Sequence, residues 1–511
     1  MRGASPEAIA EPVRGARSRL AEAMALAAVG RFADAEAAAG EQLARAESLG
    51  FAPLVAEASL ALGTLALETG RVDDAERRLS RALAEGIRGR VDRTAAEAVI
   101  RRVYVRGTLA DDRAGADADA ELARAYAGRY AADGALRWLA DMNLGAVAYR
   151  QGDLAGARTL YERALAVADG PTALERARTR VNLGLLEYDG LDFAAALRRD
   201  REAIAEASAL LGEDHPLVRQ IGFYEAAALE SLGQRGAARR RLEGLLARDD
   251  AGDPRRGVWP RIRLARLFNA LRRHDLARPL AAAALAAAAP ADALARIKAR
   301  AAAADAVDDP AQAPAQHQAV IAEAVAAFGA DDPYTSTVRH DAARGLLRRG
   351  RAAEALPLAR EALAAREARD GAAHPLSAET RRLVAEVLLA LEDPAAALPL
   401  AHAAADDLAA ASGDHTVDRA LAELVRGRAL LAAGDPAAAH AALGEALALA
   451  EPRLDADDPD LAAVAAALAR AAILLGRDDE AEPHLDRART IYTSLGPPFA
   501  AELAELAQIN N

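Results

Sequence analysis

The chain has 511 residues, no Cys, a formal net charge of −12 and a pI near 5.4. Hydrophobic residues supply 52 % of it but aromatics only 4 %, and Ala alone gives about 28 %, a balance that favours helix and excludes an all-β or disordered protein. The absence of thiols removes disulfides, thiolate zinc sites and Cys nucleophiles, while the acidic balance argues against a nucleic-acid binder acting through a global positive field.

Residues 1–19 mix Arg, Glu and Pro without an uninterrupted apolar core, so they read as neither signal peptide nor membrane anchor. Residues 1–15 are expected to be a flexible N-terminus. The most apolar stretch, 280–294, is Ala-rich and broken by Pro290 and Asp292, which suits a buried helix better than a bilayer span. A cytoplasmic protein without membrane partners is expected.

In chain order, glycines followed five positions later by Ala recur as Gly30/Ala35, Gly70/Ala75, Gly152/Ala157, Gly233/Ala238, Gly350/Ala355, Gly434/Ala439 and Gly476/Ala481, at multiples of about 40 residues. The clearest unit is NLGAVAYRQGDLAGARTLYERAL at 143–165, with relatives at 61–83 and 343–363. Each is an apolar helical pattern, a turn holding Gly, and a second helical pattern, which predicts a helical hairpin. Gly at the turn supplies positive φ, while the small residues Gly145, Ala157 and Ala164 let the two backbones approach.

The small residue, turn Gly and two later small residues resemble the tetratricopeptide repeat. The period near 42 and the connectors LGEDHPLV (211–218), FGADDPYT (328–335) and DGAAHPLS (370–377) resemble its kinesin-light-chain type. The resemblance implies an all-α, right-handed α-solenoid, a superhelix of about twelve hairpins over 16–494. Its degenerate regions are 92–127 and 291–328, and a capping helix and tail fill 495–511. The segment AESLGFAPLVAEASLALGTLALETG (46–70) is similar to the repeat regions following the catalytic domain of myxobacterial serine/threonine kinases. That likeness implies a detached regulatory region, with kinase-pathway components as partners.

No chemistry assembles from the remaining motifs. ARIK (295–298) holds the only Lys, Lys298, but lacks a preceding glycine loop, and LDFAA (191–195) and RRD (198–200) lack the flanking residues of kinase motifs. His215, His374 and His415 recur at one connector position and read as helix caps, as do Asp331/Asp332 and Asp457/Asp458. Neither catalytic residue, cofactor nor metal is expected, and no nucleic-acid partner.

The resemblance places the first helix of each hairpin on a concave face. Its middle would present Asn143, Tyr149, Asn182, Tyr188, Phe223 and Trp259. Its C-terminal half would present Arg266, His340, Arg344, Arg348, Arg382, Arg428 and Arg470. The His340, Arg344 and Arg348 spacing shares one helix face. Such a strip suits an acidic or carboxylate-ended peptide through bidentate guanidinium contacts, the alternative being solvated or internally paired arginines and packed aromatics. The function expected is a non-enzymatic protein-interaction scaffold.

Overall fold

The computed structural model describes residues 6–28, 30–110, 112–248, 254–290, 292–307, 309–411 and 415–509. Among them twenty-five α-helices run as successive pairs with a last single helix, Ala500–Ile509, and no strand occurs. No described helix is long and apolar enough to cross a membrane. The first helix, Pro6–Ala28, begins inside the stretch expected to be flexible, because Val13 and Ala16 bury with Leu20 and Ala23 against the second helix.

The chain divides into two compact units, Met1–Leu186 with Glu202–Leu210, and Glu187–Arg201 with Leu211–Asn511. In the first, the hairpin Gly134–Arg150 and Leu154–Leu165 follows the sequence expectation. Gly152 turns the chain at φ 82°, and a Cβ on Gly145 would lie 2.6 Å from the Tyr161 ring. The pair therefore packs closer than any larger side chain allows. The degenerate region 92–127 is still a hairpin. Its first helix, Asp92–Tyr104, ends in a π-turn, Val105–Leu109, and Asp112 accepts from the Gly115 N–H to start Arg113–Arg129. Asp119 from the acid-rich stretch turns inward, where Arg102 grips it at 2.5 and 2.7 Å. Burial is tolerable because the partner is a guanidinium fork.

The second unit repeats the same brick. The region 291–328 folds as Ala293–Asp305 and Ala313–Phe328, joined through a short 3₁₀ turn. At three turns Leu191, Arg272 and Glu392 take the positive φ that Gly takes in other hairpins, at 63°, 53° and 59°. Non-glycine residues in this region are strained by about 1 kcal/mol or more, so other contacts must hold them. His215 and His374 cap helices by accepting the N–H groups of Leu217 and Leu376, and Asp332 and Asp458 do the same for Tyr334 and Asp460.

Candidate functional site

Within the second unit the last hairpin returns to the first. Arg235, opening the helix Arg235–Ala247, donates from one terminal nitrogen to both Asp458 oxygens (2.7 and 2.8 Å) and from the other to Asp460 (2.7 Å). The backbone N–H of Gly236 donates to Asp455 at 2.6 Å. Gly233 at the adjoining turn leaves no room for a side chain, since its Cβ would stand 2.7 Å from Leu454. A second set of contacts uses Arg272, which donates to the Pro498 carbonyl (3.2 Å), pairs with Glu502 (2.6 Å) and lies 4.7 Å from the Phe499 ring centroid. These contacts span more than 200 residues and close the unit on itself. They also supply what holds Arg272 in its positive-φ turn. Asp458 and Asp460 compete for one guanidinium. Burial and the neighbouring Asp460 push Asp458 up to about 6, whereas Asp460, despite burial, is held low by Arg235.

Closure leaves a partly open chamber of about 1070 Å³. On a chain of net charge −12, its wall holds eleven Lys or Arg against nine Asp or Glu. Most are paired. Asp341 lies 2.7 Å from Arg344, 3.3 Å from Arg266 and 3.6 Å from Lys298. Against the burial that would raise it, these cations hold its carboxyl well below the usual range. Burial brings Lys298 down to about 8 even so. Glu379 gathers Arg366 (3.2 Å), His340 (3.3 Å) and Arg344 (3.7 Å), and Arg382 pairs with Glu386. Burial outweighs Glu379 at His340 and keeps that imidazole below its ordinary value.

Residues 138–205 match the tetratricopeptide repeat family model. That segment is similar to a tetratricopeptide repeat. Solved structures resemble the chain at low identity. A kinesin light chain with nearly identical repeats from Podosopora anserina is 20 % identical, covering 44 % of this chain and 97 % of its own, at a TM-score of 0.31. BtubC from P. vanneervenii is 17 % identical over 44 % of this chain and 90 % of its own, at 0.35. The apo form of RapI is 11 % identical over 77 % of this chain and 97 % of its own, at 0.44. No curated protein matches.

The tetratricopeptide slots sort the expected groove residues into two sets. Tyr188, Arg266, His340, Arg344, Arg348, Arg382, Arg428 and Arg470 all line the chamber. The other five lie elsewhere. Asn143 donates to the Ile100 carbonyl at 3.0 Å, and Asn182 bonds the buried Tyr161 hydroxyl. Tyr149 packs in the cluster around Trp138 and Tyr161, and Trp259 against Val258 and Ile262. Phe223 packs on Ala226 and Leu264 under the Arg263 guanidinium, 5.3 Å from its ring centroid. The basic strip is also less basic than its sequence: Arg266, Arg344 and Arg382 spend their charge on the chain's own carboxylates. Sequence reasoning missed Arg235, Arg272, Asp341, Glu379 and Asp460. A positive-φ turn position filled by Arg272 where other repeats hold Gly was the one signal available.

Proposed function

We propose that this protein is a non-enzymatic interaction scaffold whose tetratricopeptide inner wall holds a segment of a partner protein. The observation that carries the reading is that eight side chains assigned to first-helix inner slots line a single chamber. Six of them come from four consecutive hairpins, on the first helices Pro333–Arg348, Pro375–Ala390, Thr416–Ala432 and Pro459–Leu474, as selection of an extended segment requires. The slight excess of cations on this wall supports a partner segment of acidic character. Paired arginines such as Arg344 present a fixed, preorganised fork, while apolar neighbours such as Leu389 and Leu421 offer surface to bury.

Photo-crosslinking tests it. A benzophenone side chain at Leu421, on the chamber wall, should capture the same partner peptide repeatedly from native extract, and Arg428→Glu should reduce that capture. The same probe at Leu474, an exposed position, should not capture it. Equal capture at both positions would remove the inner wall as the recognition surface.

A further inference from the structure

The chain's only Lys stands where the inner slots of three consecutive hairpins converge. Lys298 lies on the helix Ala293–Asp305, Arg266 on the first helix of the hairpin before it, Val258–Ala270, and Asp341 and Arg344 on that of the hairpin after it, Pro333–Arg348. All four line the chamber. One carboxylate joins the three cations. Arg266 (3.3 Å) and Lys298 (3.6 Å) meet the same Asp341 oxygen, Oδ2, and Arg344 (2.7 Å) meets the other. The shared carboxylate therefore puts the amine and both guanidinium groups within reach of one small molecule. Of the three contacts the amine has the longest. Its side chain is 13 % exposed, which lets a chamber ligand touch it while denying it the hydration of a surface lysine. Ala301, one turn along the same helix, also lines the chamber and puts nothing larger than a methyl there.

Charge alone does not account for a lysine at this slot. Of the 64 basic residues all the others are Arg, both neighbours included. An arginine keeps its proton, whereas a desolvated amine beside other cations gives its proton up and becomes a nucleophile. Burial first, with Arg266 and Arg344 adding to it against Asp341, brings the Lys298 ammonium down to about 8. We infer that Lys298 is a covalent binding site for a small carbonyl compound of the 2-oxo acid class, held as an imine with its carboxylate on Arg266 and Arg344. Nζ releases a proton to solvent and adds to the carbonyl carbon, forming the C–N bond while a second proton passes from nitrogen to the carbonyl oxygen. The hydroxyl so formed takes a proton back from solvent and leaves as water, and the nitrogen lone pair closes the C=N bond. The iminium carries the charge that the ammonium carried, so Asp341 keeps its third cation; acylation of the same nitrogen would remove it. Three cations on one carboxylate accept a further anion, and each guanidinium has five donors, more than Asp341 engages. The site goes beyond the partner segment proposed above and does not depend on it.

The test is reductive trapping on the full chain, with glyoxylate or acetaldehyde and cyanoborohydride near neutral pH, read by peptide mass spectrometry beside Nα-acetyl-lysine under the same conditions. Lys298 should gain one carboxymethyl group at least about tenfold faster than acetyl-lysine does, because more of its amine is unprotonated. The preference for glyoxylate over acetaldehyde should also be larger on Lys298 than on acetyl-lysine. Arg344→Gln should shrink that preference severalfold, and Lys298→Arg, which keeps the charge, should abolish labelling except at the N-terminal amine. Should Arg344→Gln fail to fold, the wild-type preference alone decides. Lys298 no more reactive than acetyl-lysine, the same glyoxylate preference on both, or a preference untouched by Arg344→Gln overturns the site.

Discussion

The inner-slot residues of the first unit and those of the second obey the same repeat grammar and do different things. In the first, Asn143 and Asn182 each bond a neighbouring repeat's backbone or Tyr161, and Tyr149 packs with Trp138. In the second, the inner slots hold mainly charged groups around a chamber, because the hairpin after Asp458 returns to the one whose second helix begins at Arg235. A slot in the repeat fixes the direction of a side chain. What stands opposite decides whether that side chain packs, pairs or stays without a protein partner.

The strongest way to break the contrast is Arg235→Ala. It leaves Asp458, whose side chain is 1 % exposed, without its guanidinium, and should cost about 3–5 kcal/mol. Denaturant unfolding followed by hydrogen exchange should show lost protection in Arg235–Ala247 and Pro459–Leu474 with the first unit unchanged. Undiminished protection there would mean that the closure does not depend on this arginine. Next in size, Gly427→Val and Gly145→Val ask whether the brick itself is equally tight in both units. Their Cβ atoms would come within 2.4 Å of Leu443 and 2.6 Å of Tyr161, so each should lose about 2–3 kcal/mol. A large loss in one unit only would locate a looser hairpin in the other.

A smaller effect is set by pH. Asp200, in the second unit, is 2 % exposed with Oδ1 buried and unbonded, and burial with the nearby Glu225 and Glu187 pushes it up to about 7. The folded chain therefore keeps a proton that an unfolded Asp, with its ordinary pKa near 4, has released, so this group's contribution to stability falls as pH rises from about 4 to 7. Asp200→Asn should raise stability by about 1–2 kcal/mol at pH 8 and by little near pH 4, read from melting temperatures. The same gain at both values would refute the raised pKa. Least of all, Arg17→Ala removes a half-exposed pair with Glu57 in the first unit and should change stability by less than about 1 kcal/mol.

The brick itself was legible in the sequence. Gly30, Gly70, Gly152, Gly233, Gly350, Gly434 and Gly476 all take the positive φ expected at the turn, because a short helical hairpin needs a left-handed residue and Gly meets that need without strain. His215, His374, Asp332 and Asp458 cap helices as their connector positions indicated. The candidate site was legible only in part. Arg344, Arg348, Arg382 and Arg428 do face one space, but the spacing that put them there carried no record of Asp341, Glu379 or Glu386 meeting three of the chamber's arginines from other slots.

Local period, turn chemistry and small-residue spacing thus determined that the chain forms stacked helical hairpins, since those signals act over tens of residues. Closure of the second unit, and with it the separation of spent from unspent arginines, was decided only when residues more than 200 positions apart met. Small rotations between successive hairpins accumulate, and no single repeat contains the angle that brings Arg235 to Asp458 or leaves Arg348 without a carboxylate.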